Sequence, residues 1–235
     1  MSWDWQVFFQ DTGGGQTYLN WMMSAWGWTL LVSACSLVVA LSVGSLMGIL
    51  RTTPVKAFVW IGNAWTELFR NIPLLVQIFL WYHVIPSMFK GLQQVPDFFA
   101  VVIALGFFTS ARIAEQVRAG IQALPKGQRY AGLAMGLTLP QTYRFVILPM
   151  AFRIVIPPLT SESMNIIKNS SVAFAVSISE LTFFAMQAQE ETSRGVEIYL
   201  AVTFLYFISA FTVNRLAAYI EKRVQVPGMV IGGAK

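Results

Sequence analysis

Three charged residues, Arg153, Glu162 and Lys168, stand in a stretch of the chain that is otherwise apolar. A charge at the centre of a membrane helix costs about 2.5–3.5 kcal/mol on insertion scales, so such residues usually face partner helices or a watery cavity. Asn169 and Ser170 follow Lys168 directly and add hydrogen-bonding groups to its positive charge. The pattern predicts either a polar lock between helices, for instance from Lys168 to Glu162, or a site for an anionic ligand.

A second charged pair lies earlier in the chain, where Glu67 and Arg70 precede the uncharged residues 71–89. At a spacing of three residues the two side chains can pair on one helical face, and Pro73 favours a kink or a helix start just after them. The same spacing predicts a row of pairs further on, among Arg112, Glu115 and Arg118. The candidate substrate path comprises Glu67, Arg70, Arg153, Glu162, Lys168, Asn169 and Ser170.

Patterns typical of catalysis are missing from the chain. No GxxxxGK[ST] sequence occurs, and the stretch GGGQT at 13–17 lacks the lysine that would reach nucleotide phosphates. Cys35 is the only cysteine and His83 the only histidine, whereas metal sites usually recruit several such ligands. We therefore expect that the chain does not hydrolyse ATP itself and that it binds no metal or cofactor.

The composition indicates a membrane protein. Of 235 residues, 56% are hydrophobic and only 11% charged, and the mean hydropathy is +0.60. A soluble domain has about 25% charged residues. The net charge of +5 does not indicate nucleic-acid binding, because basic residues in cytoplasmic loops orient a membrane protein.

Runs of apolar residues predict an all-α integral membrane protein with about five transmembrane helices, forming one domain over residues 1–235. A helix needs about 20 apolar residues to cross the hydrocarbon core. Gly44 and Gly48, near the end of the first run, suggest a close helix contact. The spans are expected at about 24–50, 58–88, 97–120, 141–168 and 197–220.

The fourth span is expected to be interrupted. Pro149, Pro157 and Pro158 remove backbone donors, and a break is expected around Lys168. Residues 169–179 are apolar but too short to cross, so they are expected to be re-entrant or packed inside the bundle. An acidic loop is predicted to follow, with Glu180, Glu190, Glu191 and Glu197.

Residues 115–149 form a polar, basic stretch between apolar spans, with one acid, Glu115, against Arg118, Lys126, Arg129 and Arg144. The positive-inside bias places this stretch in the cytoplasm. Five spans then place the N-terminus outside and the C-terminus inside. Within the stretch, Gln128–Leu139 is predicted to form a short helix, and Gly136 to mark its stop or a tight turn.

The same stretch resembles the cytoplasmic coupling loop of ABC importer membrane subunits, EAA-x3-G-x9-I-x-LP. Ala131, Gly136 and the pair Leu148-Pro149 match that pattern, whereas Tyr130 stands in place of its Glu and Gly132 in place of its second Ala. Two further runs resemble the polar amino-acid uptake branch of the family. They are EQVRAGIQALPKGQ at 115–128 and ELFRNIPLLVQ at 67–77.

The resemblance implies an ABC type I importer-like transmembrane domain with a cytoplasmic coupling segment over 121–140. It implies a bacterial inner-membrane location and three protein partners: a dimer of ABC ATPase subunits that holds ATP and Mg, a second permease subunit, identical or homologous, and an extracytoplasmic solute-binding protein. The residues expected to couple to the ATPase are Gln128, Ala131, Gly132, Gly136 and Leu137.

The substrate is predicted from two stretches, ELFRNIPLLVQIFLWYHVIP at 67–86 and GLTLPQ at 136–141, which look most like the glutamate/aspartate members of this family. Histidine, glutamine and cationic amino acids stay open as alternatives. An ion-coupled secondary transporter would also explain charges within the membrane, but such carriers often have internal repeats, and none is apparent. A membrane enzyme would need a group of reactive side chains, such as a nucleophile with a base, and the sequence shows no such pattern.

Overall fold

The computed structural model describes residues 3–224, which fold almost entirely into helices. Residues 1–2 and 225–235 lie outside the described residues. The predicted positions of the two termini, on opposite sides of the membrane, concern these residues. The helices are α1 Tyr18–Leu50, α2 Lys56–Asn71, α3 Leu74–Phe79, α4 Ile85–Met88, α5 Asp97–Gln122, α6 Lys126–Ala134, α7 Leu139–Thr142, α8 Leu148–Asn169, α9 Leu181–Thr192 and α10 Gly195–Val224. Short 3-10 or π segments occupy Trp5–Phe9, Leu80–Val84, Lys90–Leu92, Tyr143–Ile147 and Ser170–Val176.

Four helical stretches of the described chain are long and apolar enough to cross a membrane, and a fifth candidate is a bent pair of helices. The four are Tyr18–Leu50, Asp97–Gln122, Leu139–Val176 and Gly195–Val224. The predicted fold class, an all-α membrane protein with about five spans, is confirmed.

The pairing of α1 with α5 is the most extensive contact between helices in residues 3–224. A Cβ atom added at Gly44 would lie 2.7 Å from the Cβ of Ile113, and one at Gly48 would lie 2.7 Å from the Cβ of Val117. The two glycines therefore allow the helix backbones to approach each other closely. The close contact predicted for Gly44 and Gly48 is confirmed.

The stretch predicted as one span at 58–88 bends by 105° between α2 and residues 74–88. Pro73 follows the bend and lacks a backbone N–H, so α2 cannot continue through it. The buried Gln77 side chain donates from Nε2 to the carbonyl oxygens of Phe69 and Ile72, both at 2.8 Å. Gln77 thus satisfies carbonyls at the end of α2 and holds the corner.

The fourth span breaks after Asn169, as predicted near Lys168, but its prolines do not interrupt it. Pro157 and Pro158 lie inside the continuous helix α8. Residues Ser170–Val176 then form a 3-10 helix, and the backbone of Ser177 is left-handed, with φ of 61°. Ala173 and Val176 are buried, so this short segment packs inside the bundle.

The acidic loop predicted after the break is wrong for most of its length, because residues 181–192 form helix α9. Glu180 is fully buried at its N-terminus and accepts hydrogen bonds from the backbone N–H groups of Thr182 (2.8 Å) and Phe183 (2.9 Å) and from the Tyr206 hydroxyl (2.7 Å). The sequence does contain a signal for this helix, because apolar residues recur there at intervals of three and four. These residues, Leu181, Phe184, Ala185 and Ala188, are all buried.

Candidate functional site

Helix α6 lies in the basic stretch between α5 and α8 and ends earlier than predicted, at Ala134 instead of Leu139. Gly136 has a φ of +83°, a left-handed conformation that ends the helix. The N–H of Gly136 donates to the Leu133 carbonyl (3.0 Å) and the N–H of Leu137 to the Gly132 carbonyl (3.2 Å). These two bonds form a Schellman cap, and the stop predicted at Gly136 is confirmed.

Two glycines, one inside α6 and one just after its end, have different roles. A Cβ atom at Gly136 would meet nothing within 4 Å, so its backbone conformation, and not crowding within this chain, favours glycine there. A Cβ atom at the buried Gly132 would lie 2.7 Å from Cγ2 of Thr142. Gly132 therefore lets α6 pack against α7.

The helix has one side turned toward the bundle and one turned outward. Gln128, Arg129 and Gly132 lie on the inner side and are half-buried or buried. We call the opposite side the outward face of α6. It comprises exposed residues, including Tyr130 (66% exposed) and Met135 (83% exposed), together with Gly127, Ala131 and Ala134.

Residues that follow α6 attach this region to the spans. The hydroxyl of Tyr143, in the π-helical turn before α8, donates to the backbone carbonyl of Thr52 at 2.7 Å. Thr52 lies two residues after the end of α1. At the start of α7, Gln141 Oε1 accepts from the backbone N–H of Thr138 at 2.8 Å. The ends of α1 and α8 are therefore joined beside α6.

Inside the bundle, Glu162 of α8 contacts two residues of α5. It is buried (7% exposed), its Oε1 accepts from Gln116 Nε2 at 3.1 Å, and its Oε2 lies 3.5 Å from Arg112 Nη1. We call this contact the α5–α8 seam. The prediction of a lock from Glu162 to Lys168 is wrong, because residues six apart in a continuous helix point about 120° away from each other.

The pairs predicted within single helices are also replaced by pairs between helices. Arg70 of α2 pairs with Glu115 of α5, and Arg112 pairs with Glu162. Glu67 is exposed and forms no ion pair within residues 3–224. Helix α5 lies between α2 and α8. Its Arg112 and Glu115 therefore pair with residues of these two neighbouring helices instead of with residues of α5.

The remaining charges of α8 lie on the side away from the seam. Arg153 and Lys168 are exposed, and within the described part of the chain neither forms an ion pair. With Ser161 they occupy about 80° of the helix circumference, which we call the outward face of α8. Charged side chains on a membrane helix seldom face lipid, so this face is suited to a partner or a watery path.

The two polar residues after Lys168 are placed differently. Asn169 is half-buried and its side chain makes no hydrogen bond within residues 3–224. Ser170 is buried and its hydroxyl donates to the carbonyl of Ile167 at 2.7 Å, so it is engaged by its own helix end. Among residues 3–224, no group of three or more His, Cys, Asp or Glu side chains is placed to hold a metal ion.

Two residues important to this geometry, Gln77 and Tyr143, were not singled out from the sequence. A polar residue shortly after a proline in an apolar run was the available signal for Gln77. The sequence around Tyr143 contains no signal for its hydrogen bond, because its partner Thr52 lies 91 residues away along the chain.

Comparison with known proteins places the chain among transport proteins. Residues 40–226 match the model of the family described as "Binding-protein-dependent transport system inner membrane component". The chain is 40% identical to the glutamate/aspartate import permease protein GltJ of Escherichia coli (strain K12), over 99% of each chain. It is 36% identical to the probable glutamine ABC transporter permease protein GlnM of Bacillus subtilis (strain 168), over 84% of this chain and 90% of that protein.

Solved structures agree with these relatives. One described as "Crystal structure of an amino acid ABC transporter with histidines" matches with a TM-score of 0.78 and 29% identity, covering 95% of this chain and 100% of that chain. A structure of the MetNI methionine ABC transporter, at 21% identity and a TM-score of 0.67, shares the fold.

Proposed function

The chain belongs to the family of binding-protein-dependent transport system inner membrane components, and we propose that it carries glutamate or aspartate across the membrane. It is a membrane-spanning permease subunit of an amino-acid ABC importer. The observation that carries the substrate proposal is the 40% identity to a glutamate/aspartate permease over nearly the whole of both chains. The 36% identity to a probable glutamine permease makes glutamine the second candidate.

Energy for this transport comes, in our proposal, from a pair of ATPase subunits that bind ATP and Mg and dock on the outward face of α6. Its small and exposed residues, such as Ala131 and Ala134, permit close approach by another protein. The Schellman cap at Gly136 fixes the direction in which the chain leaves the helix. The Tyr143–Thr52 hydrogen bond offers a path from this docking site to α1 and α8.

The other proposed partners are a second permease subunit, identical or homologous, and an extracytoplasmic solute-binding protein. The family description itself refers to binding proteins. The outward face of α8 carries Arg153 and Lys168, which a second subunit would shield from lipid. In this arrangement, in the inner membrane, α6 is cytoplasmic, the N-terminus is extracytoplasmic and the C-terminus is cytoplasmic.

Within the proposed substrate path, Lys168 presents a positive charge to a substrate carboxylate, and Asn169 adds amide hydrogen-bonding groups. Desolvating a carboxylate is costly unless it meets a charge or oriented donors. The exposure of Lys168 and its lack of an ion pair within residues 3–224 support this role. The buried Glu162 and Ser170 contribute by positioning α8. At the α2 end of the path, Arg70 holds α2 in place through its ion pair and Glu67 lines the path.

The substrate proposal is tested by reconstituting the complete transporter, with its ATPase and solute-binding protein, in proteoliposomes. We expect glutamate and aspartate to stimulate ATP hydrolysis and to be imported as radiolabelled compounds. Glutamine, histidine and arginine at equal concentrations serve as competitors. Import of glutamine that glutamate does not inhibit would refute the proposal and support the second candidate.

The docking proposal is tested with two glycine-to-alanine substitutions, one at the end of α6 and one outside the docking surface. A left-handed conformation costs a residue with a side chain roughly 1–2 kcal/mol, so Gly136→Ala should disturb the end of α6 and lower substrate-stimulated ATP hydrolysis several-fold. Gly91→Ala, in the short 3-10 helix Lys90–Leu92, adds the same methyl group, but with ordinary φ and nothing within 4 Å, and should leave hydrolysis unchanged. Equal activity of the two variants would contradict a coupling role for Gly136.

A further inference from the structure

A cavity of about 420 Å³ lies behind α6, between the ends of α1 and α5 and the π-helical turn before α8. A second cavity of about 330 Å³ adjoins it, and both are lined by Arg51 and Gln122. Pockets that hold small ligands in proteins usually measure about 300–1,000 Å³. The first cavity is therefore large enough for a small organic molecule.

The walls of the first cavity carry one sign of charge. Arg51, Lys126 and Arg129 line it, and none of the described residues that line it is acidic. The second cavity adds Arg118 and one acid, Glu115, which is already paired with Arg70. A cleft lined by one sign of charge focuses its field and raises the local concentration of ions of the opposite sign.

Two donors of this cluster lack an acceptor within residues 3–224. The Nε atoms of Arg118 and Arg129 are buried and have no hydrogen-bond partner within residues 3–224. Arg51 is held by neutral groups, donating to Asn63 Oδ1 at 2.8 Å and Thr66 Oγ1 at 3.2 Å. Burial lowers the pKa of the Arg51 guanidinium, and the nearby charge of Arg118 lowers it further. Buried donors are normally satisfied, so these point to an acceptor that completes the cluster.

The cavity is separated from the surface to which we assign the ATPase. It is lined by Gln128 and Arg129, on the inner side of α6, whereas Tyr130 and Met135 are exposed on the outward face. A protein docked on the outward face would have α6 between itself and the cavity. This geometry favours a small ligand over a side chain of the ATPase.

We propose that this cavity binds the phosphate group of a small organic phosphate or of an anionic phospholipid headgroup. Arginine side chains bind phosphate through paired, charge-assisted hydrogen bonds, and lysine adds a point charge. Arg129 and Lys126 from α6 and Arg51 from the end of α1 would share the ligand. A bound phosphate would therefore attach α6 to α1 at a second point beside the Tyr143–Thr52 hydrogen bond.

The test uses the complete transporter, delipidated in detergent, and isothermal titration calorimetry with two probes. Dihexanoyl phosphatidylglycerol represents the lipid source and glycerol 1-phosphate the soluble source. Arg129→Gln removes one cavity charge and should weaken binding of at least one probe roughly tenfold. Arg144→Gln, an equal change at an exposed residue outside the cavity, is the matched control and should change binding less than twofold.

Binding of the lipid probe alone would identify a headgroup site, and binding of both probes would identify a site for phosphate in general. Lys126→Gln provides a second cavity variant if Arg129→Gln does not assemble. No binding of either probe to the unmodified transporter would overturn the proposal, as would equal losses in cavity and control variants. Loss of the ATPase from membrane-inserted Arg129→Gln and Lys126→Gln would also overturn it, because the cavity would then contact that partner.

Discussion

The charged residues of α8 have opposite surroundings in the α5–α8 seam and on the outward face, although all of them belong to one helix. In the seam, Glu162 is buried and meets Arg112 and Gln116 of α5. On the outward face, Arg153 and Lys168 are exposed and unpaired within residues 3–224. All three residues interrupt the same apolar stretch, yet only Glu162 is used to join helices of this chain.

The difference shows that a charge in a membrane helix carries no single meaning. Its cost is offset by a partner of opposite charge in one case and requires a second subunit or an aqueous path in the other. A buried pair is strongly weakened when one member is removed, whereas an unpaired exposed charge can be removed with little effect on folding. Substitutions on the two sides of α8 should therefore separate assembly from transport.

The largest effect is expected in the seam. Glu162→Ala leaves Arg112 and Gln116 without their partner and should destabilise the permease by about 2–3 kcal/mol, which is less than the cost of breaking a fully buried pair because the Arg112 side chain is 44% exposed. We expect a lower thermal midpoint, less assembled complex and an equal loss of uptake for every substrate. Glu190→Ala, at an exposed residue of α9, is the control and should assemble normally.

A smaller and more selective effect is expected on the outward face. Lys168→Met keeps much of the apolar stem and removes the charge, so the complex should assemble and hydrolyse ATP at its basal rate. Uptake of radiolabelled glutamate should fall roughly tenfold, the effect of one lost charge-assisted hydrogen bond. Lys168→Arg preserves the charge and should retain most of the uptake. Poor assembly of Lys168→Met would assign this residue to structure instead.

The smallest effect is expected at Ser170, next to the candidate path. Its hydroxyl donates to the Ile167 carbonyl and so is already engaged at the end of α8. Ser170→Ala should change glutamate uptake less than twofold. A large, substrate-dependent loss in this variant would mean that the hydroxyl turns toward the substrate.

Local features of this fold could be predicted from the sequence, and contacts between distant segments could not. Gly44, Gly48 and Gly136 act through backbone approach or backbone conformation, which neighbouring residues indicate. The partners of Arg70 and Glu162 lie on other helices, whereas the sequence suggested partners on the same helix, Glu67 for Arg70 and Lys168 for Glu162. Helix α9 was missed because four glutamates suggested a loop, although Glu180 is buried as its N-terminal acceptor.

The most direct test compares the two sides of α8 by the number of glutamate molecules imported per ATP hydrolysed. The measurement uses equal amounts of assembled complex carrying either Lys168→Met or Glu162→Gln, with the solute-binding protein present. We predict a roughly tenfold lower ratio for Lys168→Met. For Glu162→Gln we predict an unchanged ratio despite a lower yield of complex. An unchanged ratio in Lys168→Met, or an equal fall in both variants, would contradict the division of α8 into a structural seam and a substrate-facing side.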